Sequence, residues 1–282
     1  MARSETPLAI IGGGYMGQAL VRGALDAEVL DPALVGILEP DRIKRDLFKA
    51  LGLDTPSDAA DLIHWLEDEE DDAQRPGQLL LAVKPQSLLE VGAELAPLLG
   101  SKRRVVISLL AGTPTHIIRR TLGGSVVVVR TMSNTPAQVR RATTAIALGE
   151  DTTPDDAQLA TDLFGALGRV VPIQEPLMDA FTAVAGSGPA YLFYLAEAMT
   201  RAATEVGFDP DTAQWIVRWT LAGSAALLDA TDQPPATLRA AVTSRGGTTA
   251  AATKVLDDAA VMDAFVRAIT AARDRGRELG GG

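Results

Sequence analysis

The chain has 282 residues, 47% of them hydrophobic and only 4% aromatic, so one large domain or two ordinary ones must be built mainly from Ala, Val, Leu and Ile. Its 26 basic and 36 acidic residues give a formal net charge of −10, which argues against a nucleic-acid partner, because neutralising phosphates needs a basic face. Cysteine is absent, no metal site is expected, and neither a secretory signal nor a membrane span is legible, so the expectation is a soluble, cytoplasmic protein.

Leu8–Ile11 is a near-continuous apolar run, the pattern of a strand buried on both faces. It leads into Gly12-Gly13-Gly14-Tyr15-Met16-Gly17, and helical spacing follows over Met16–Leu25. A G-x-G-x-x-G between strand and helix is the setting a dinucleotide pyrophosphate requires. Gly12 permits the tight turn, Gly14 lets the backbone approach the phosphates, and Gly17 lets the helix lie against the strand. Tyr15 and Met16 begin a helix whose free N–H groups face the phosphates.

The next strand, Leu34–Leu38, ends at Glu39, roughly 20 residues beyond the turn. An acid there accepts the ribose 2′-hydroxyl of NAD and repels the 2′-phosphate of NADP. Arg42, turned inward, would offset that repulsion, so NADH and NADPH both stay open.

Helical spacing covers Arg42–Leu51, and Glu67-Asp68-Glu69-Glu70-Asp71-Asp72 reads as a solvated loop tip. Strands at Leu79–Val83, Val105–Ser108 and Val126–Val129 then alternate with helices at Leu88–Leu98 and Pro114–Leu122. Thr143–Leu148 and Val170–Ile173 add strands at the sheet edge. Alternation of this kind implies parallel pairing through right-handed crossovers, hence a doubly wound α/β sheet.

Ligands of such sheets sit beyond the carboxyl ends of the strands. Three loops there each end in proline. The first, Ala82-Val83-Lys84-Pro85-Gln86, follows one strand. The second, Leu109 to Pro114 with Ala111 inside it, follows the next. The third runs from Arg130 to Pro136 and contains Asn134. Their agreement in position marks them as cofactor-side loops.

Beyond residue 173 only helical patterns remain: Met178–Val184, Ala190–Val206, Asp211–Ala230, Pro235–Val242, Thr248–Leu256 and Val261–Glu278. The expected division is 1–173 for dinucleotide binding and 174–282 for an all-helical dimerisation and substrate-binding part. Its many small residues suit a bundle completed by a second subunit. Ser244, Thr248 and Thr249 lie where a helix starts, so they either cap it or join its N–H groups in seating a carboxylate. His64 and His116, the 2 histidines, read as surface residues.

Taken together, these blocks resemble the pyrroline-5-carboxylate reductase family. The resemblance rests on Ile11–Gly17, Ala82–Gln86, Met132–Pro136, Asp179–Tyr191 and Ser244–Thr249, in the family's order along nearly the whole chain. It implies a Rossmann domain followed by helices that interlock with a second subunit, the active site lying at that interface. It also implies a homodimer, five of which form a decamer in some members. The reaction would be hydride transfer from NAD(P)H to pyrroline-5-carboxylate, the last step of proline biosynthesis. Ser244, Gly247, Thr248 and Thr249 would hold the substrate carboxylate, the Thr249 hydroxyl would reach the ring nitrogen, and Glu175 would stand near the site.

Two departures from the family pattern stand out. Arg245 replaces a proline in the substrate loop. Glu39-Pro40 and Asp58 replace donors that serve a 2′-phosphate, an arrangement that favours NADH. The competing enzymes on this plan are other imine reductases and β-hydroxyacid reductases. The latter use a lysine at the start of the helical part, and Met178–Thr200 contains none. The non-enzymatic alternative is a nucleotide sensor, which has no need of the substrate-loop hydroxyls.

Overall fold

A computed structural model of the protein describes residues 3–71, 76–123 and 125–280. Seven strands form one sheet: β1 (Leu8–Ile11), β2 (Val35–Leu38), β3 (Gln78–Leu81), β4 (Arg104–Ser108), β5 (Val126–Met132), β6 (Ala142–Leu148) and β7 (Gly168–Pro172). Their order is β2-β1-β3-β4-β5-β6-β7, and every pair is parallel except β5 with β6. The helices between them are α1 (Tyr15–Asp26), α2 (Arg42–Ala50), α3 (Ala59–Glu69), α4 (Leu88–Leu99), α5 (Thr115–Leu122) and α6 (Gln158–Gly165).

Both faces of the sheet are covered, because alternate residues of each strand enter different cores. Leu8 and Ile10 of β1 join Leu20, Phe48, Leu163 and Phe164 on one side. Ala9 and Ile11 join Leu62, Leu66, Leu95 and Ile118 on the other. This is the expected doubly wound architecture.

Three expectations need correction. Thr143–Leu148 is not at the sheet edge: β6 lies inside it, antiparallel to β5, and β7 forms the edge. The helices α3 and α6 were not foreseen. Nor is the acidic run a loop: its exposed Glu67 to Glu69 complete α3, and the Glu70 side chain is buried, while Asp72 lies outside the described residues.

The burial of Glu70 has a clear cause. The guanidinium of Arg104, itself fully buried, lies 3.0 Å from the carboxylate. Lys102 also pairs with it, and the Gly77 N–H donates to it at 2.9 Å. Burial alone pushes this carboxyl up, but the bonds from Arg104, Lys102 and Gly77 outweigh it and hold Glu70 below its ordinary range.

The remaining helices are α7 (Met178–Phe181), continued by a π-helical segment at Thr182–Gly186, then α8 (Gly188–Glu205), α9 (Pro210–Asp229), α10 (Pro235–Ala241), α11 (Thr248–Asp258) and α12 (Val261–Leu279). Packing divides the chain into two compact units. One comprises residues 1–186 together with 273–282, as far as they are described, and the other residues 187–272. In the second unit Ala213 and Val217 are the only buried hydrophobic residues, while Leu192, Phe193, Tyr194, Trp215, Trp219 and Phe265 stand exposed. No helix among the described residues is long and apolar enough to cross a membrane.

Candidate active site

The phosphate turn is shaped by its glycines. Gly12 has φ +98°, and a Cβ added there would meet Ala82 O at 2.9 Å. A Cβ on Gly17 would meet Gly12 O at 2.8 Å, so the helix can lie on the turn only with glycine at that position. At Gly14 a Cβ would meet nothing within 4 Å. The first two glycines thus serve the fold, and the third leaves space open above the turn.

Gly14 is also the N-cap of α1, and no side chain caps that helix. Its leading N–H groups, on Tyr15 and Met16, are left for an anion, which the helix dipole favours. An open space beside uncapped N–H groups fits the pyrophosphate of a dinucleotide.

Glu39 is 5% exposed at the end of β2. One carboxylate oxygen accepts the Gly13 N–H at 2.6 Å and the other the Asp41 N–H at 2.9 Å, which ties the turn to the next loop. The basic side chains of α2 nearby are engaged in turn. Arg42 faces Asp46 at 3.9 Å, Lys44 lies 3.9 Å from both Glu39 and Asp41, and Arg45 donates to the carbonyls of Glu39 and Pro40. Asp58 caps α3 by accepting the Asp61 N–H at 2.9 Å.

The loops after β3, β4 and β5 follow along the carboxyl end of the sheet, the first of them against this turn. Ala82 donates its N–H to Ile11 O at 2.8 Å, and Val83 packs against Gly12. Lys84 is exposed and opens a short 3-10 turn at Pro85. Ala111 is exposed in the loop after β4. The side chain of Asn134 is committed on both ends: its amide donates to Ala185 O of the π-helical segment at 3.0 Å, and its oxygen accepts the Thr143 N–H at 3.1 Å.

Glu175 is equally committed. Its oxygens accept the Thr115 N–H and the Thr115 hydroxyl, both at 2.7 Å, and Arg130 lies 3.3 Å away. Arg130 in turn faces Asp179 at 3.8 Å. Sequence reading did not foresee this network. A charged residue closing the apolar run Val126–Val129 was its one visible signal.

In the second unit, Gly247 caps α11 without any side-chain bond, so neither Ser244 nor the threonines occupy the first N–H groups. Gly246 takes φ +70°, and the Gly247 N–H donates to Ser244 O at 3.1 Å, which folds the loop over the start of the helix. Thr248 and Thr249 are the first two residues of α11. Arg245 is exposed, as are His64 and His116.

Comparison with known proteins bears on both parts of the chain. A family model described as pyrroline-5-carboxylate reductase dimerisation matches residues 175–279, and one described as NADP oxidoreductase, coenzyme F420-dependent, matches residues 7–112. The pyrroline-5-carboxylate reductase of Methanosarcina acetivorans is 36% identical over 97% of both chains. The solved reductase of Coxiella burnetii is 33% identical, covers 98% of this chain and 99% of its own, and superposes with a TM-score of 0.87. A Plasmodium falciparum pyrroline carboxylate reductase, solved with NADP bound, is 24% identical over 99% of this chain and 100% of its own, with a TM-score of 0.82, and attests the fold. With a dinucleotide turn at one end, a dimerisation region at the other and end-to-end likeness between them, the chain belongs to the pyrroline-5-carboxylate reductase family.

Proposed function

We propose that this chain reduces 1-pyrroline-5-carboxylate to L-proline with NADH or NADPH, the last step of proline biosynthesis. The observation that carries this reading is the 36% identity to a reductase of that name over 97% of both chains. A dinucleotide held at the Gly12–Gly17 turn would supply hydride to the carbon of the cyclic C=N bond, the nitrogen ending as an amine. A protonated imine needs no strongly shifted general acid, so the protein's task is to bind, orient and hydrogen-bond.

The geometry above and the family resemblance support the following roles. Gly12, Gly14, Gly17 and the N–H groups of Tyr15 and Met16 hold the pyrophosphate. Ala82 to Pro85, Ala111 and Asn134 border the sugar and nicotinamide side, and Glu39 with Asp58 the adenosine side. Ser244, Gly247 and Thr248 seat the substrate carboxylate on the uncapped start of α11, and the Thr249 hydroxyl meets the ring nitrogen. Residues 174–282 form the dimerisation and substrate-binding part, and the working assembly is at least a homodimer. Thr249→Ala is expected to lower kcat on pyrroline-5-carboxylate by about 10–100-fold, the scale of a lost positioned donor, with dinucleotide affinity unchanged. A variant as fast as the parent would remove Thr249 from the mechanism.

For the cofactor we infer that NADH serves at least as well as NADPH. Glu39 is a buried carboxylate at the end of β2, on the side we assign to the adenosine ribose, and of the nearby basic residues Lys44 and Arg45 already face acids or donate to carbonyls. The ratio of kcat/KM for the two dinucleotides tests this, and a large preference for NADPH would overturn it.

A further inference from the structure

We propose that Glu175 is a positioning residue for the dinucleotide-side loop between β4 and α5, acting together with the last turn of α12. This rests on the reading of the turn at Gly12–Gly17 as a dinucleotide site, though not on the identity of the substrate.

The loop Leu109–Pro114 is engaged at its far end and at its middle. At its far end Thr115 opens α5, and the Glu175 carboxylate takes both the backbone N–H and the hydroxyl of that residue at 2.7 Å. Proline precedes Thr115 and no side chain in the loop caps the helix, so the cap comes from a residue 60 positions away. A carboxylate at a helix N-terminus is also favoured by the helix dipole. Arg130, 6% exposed, keeps that carboxylate in place at 3.3 Å.

In its middle the loop lies close against the end of α12. Gly112 takes φ +65°, and its carbonyl faces Gly280 so closely that a Cβ on Gly280 would stand 2.9 Å from it. One turn earlier, a Cβ on Gly276 would touch the Asp179 side chain at 3.4 Å. Asp179 is the second acid facing Arg130, at 3.8 Å. Two close backbone approaches, Gly112 to Gly280 and Gly276 to Asp179, and the ion pairs and hydrogen bonds of Arg130 and Glu175 therefore surround the loop from its middle to Thr115. The near end of the loop is tied to the sheet by Leu109 N–H to Leu81 O at 3.0 Å and Leu110 N–H to the Ser108 hydroxyl at 3.2 Å, whereas its middle has only Thr113 N–H to Leu110 O at 3.4 Å and the Thr113 hydroxyl to Ala111 O at 3.3 Å.

With its three donors arrayed around it, Glu175 is occupied by the protein itself. Removing it frees the loop, and apparent affinity falls by the fraction of time the loop keeps its binding shape. The test is the dissociation constant for NADH and NADPH, measured by calorimetry on the full-length protein without substrate. Glu175→Ala is expected to weaken both dinucleotides roughly tenfold, and Glu175→Gln, whose amide can still accept the Thr115 N–H, to recover most of the loss. Gly280→Val, at a residue outside the proposed cofactor and substrate contacts, is expected to weaken both in the same direction. At saturating dinucleotide, the KM for pyrroline-5-carboxylate should stay within about twofold in all three.

Unchanged dinucleotide binding in Glu175→Ala, with a raised KM for the imine, would overturn the proposal and make Glu175 a substrate ligand. If Glu175→Ala does not fold, Gly280→Val decides by the same reading, and dinucleotide affinity equal to the parent's overturns the proposal. A parent protein that binds dinucleotide yet leaves pyrroline-5-carboxylate untouched would overturn the proposed function and leave this inference standing.

Discussion

Glycines in one short turn do different work, and substitution can separate them. Gly12 has a positive φ and no room for a Cβ, so Gly12→Ala is expected to cost about 1–3 kcal/mol of stability, visible in chemical denaturation. Gly14 has free space around it, so Gly14→Ala should leave the unfolding midpoint within a degree or two while weakening dinucleotide binding about tenfold. A Gly14→Ala protein that binds as well as the parent would show that the space above the turn is not where phosphates lie. The spacing of these glycines was fully legible in the sequence, because the demand for φ and for close approach falls on the residue itself. What Glu39 and Glu175 do was less legible. Sequence assigns each an acid's role toward a ligand, but the structure shows both oxygens of each carboxylate already accepting protein N–H or O–H donors.

Among the secondary-structure elements, β1 to β5 were readable because strands buried on both faces need continuous apolar runs. The helix α3 was not, since only its acidic end, Glu67 to Glu69, was assigned, as part of a loop, while the buried face of Leu62, Ile63 and Leu66 before it went unread. The antiparallel turn of β6 was hidden for another reason: apolar content does not record the direction of pairing. Nor does local sequence show that Glu70 and Arg104, 34 residues apart, meet at the base of β4. Breaking such a buried pair leaves a charge alone, so Glu70→Gln is expected to cost about 3–5 kcal/mol at pH 7 in urea unfolding. Asp156, lowered chiefly by its hydrogen bond from Arg103, acts in the same sense. Both carboxyls titrate lower in the folded protein than in the unfolded chain. Their contribution is therefore complete above the ordinary carboxyl range and is lost as pH falls through the shifted values. Glu70→Gln should accordingly flatten the loss of stability below pH about 4.5, the ordinary value, compared with the parent. An identical acid limb in the two proteins would contradict this account of Glu70.

For the whole molecule, residues 187–272 have an apolar composition without an apolar core of their own, and the family's dimerisation match covers them. Exposed patches of this extent mark interfaces. Light scattering should return the mass of a dimer or a multiple of it, and a monomer at micromolar concentration would contradict the proposed assembly. The composition had pointed to a second subunit, but which apolar side chains stand exposed could be seen only once the helices were placed. The central claim is the reaction itself. Its most direct measurement is proline formed from pyrroline-5-carboxylate by the purified protein, followed with NADH and with NADPH. The account predicts one proline per dinucleotide oxidised, with NADH at least as efficient as NADPH. Dinucleotide oxidation that does not depend on pyrroline-5-carboxylate, or none at all, would contradict it.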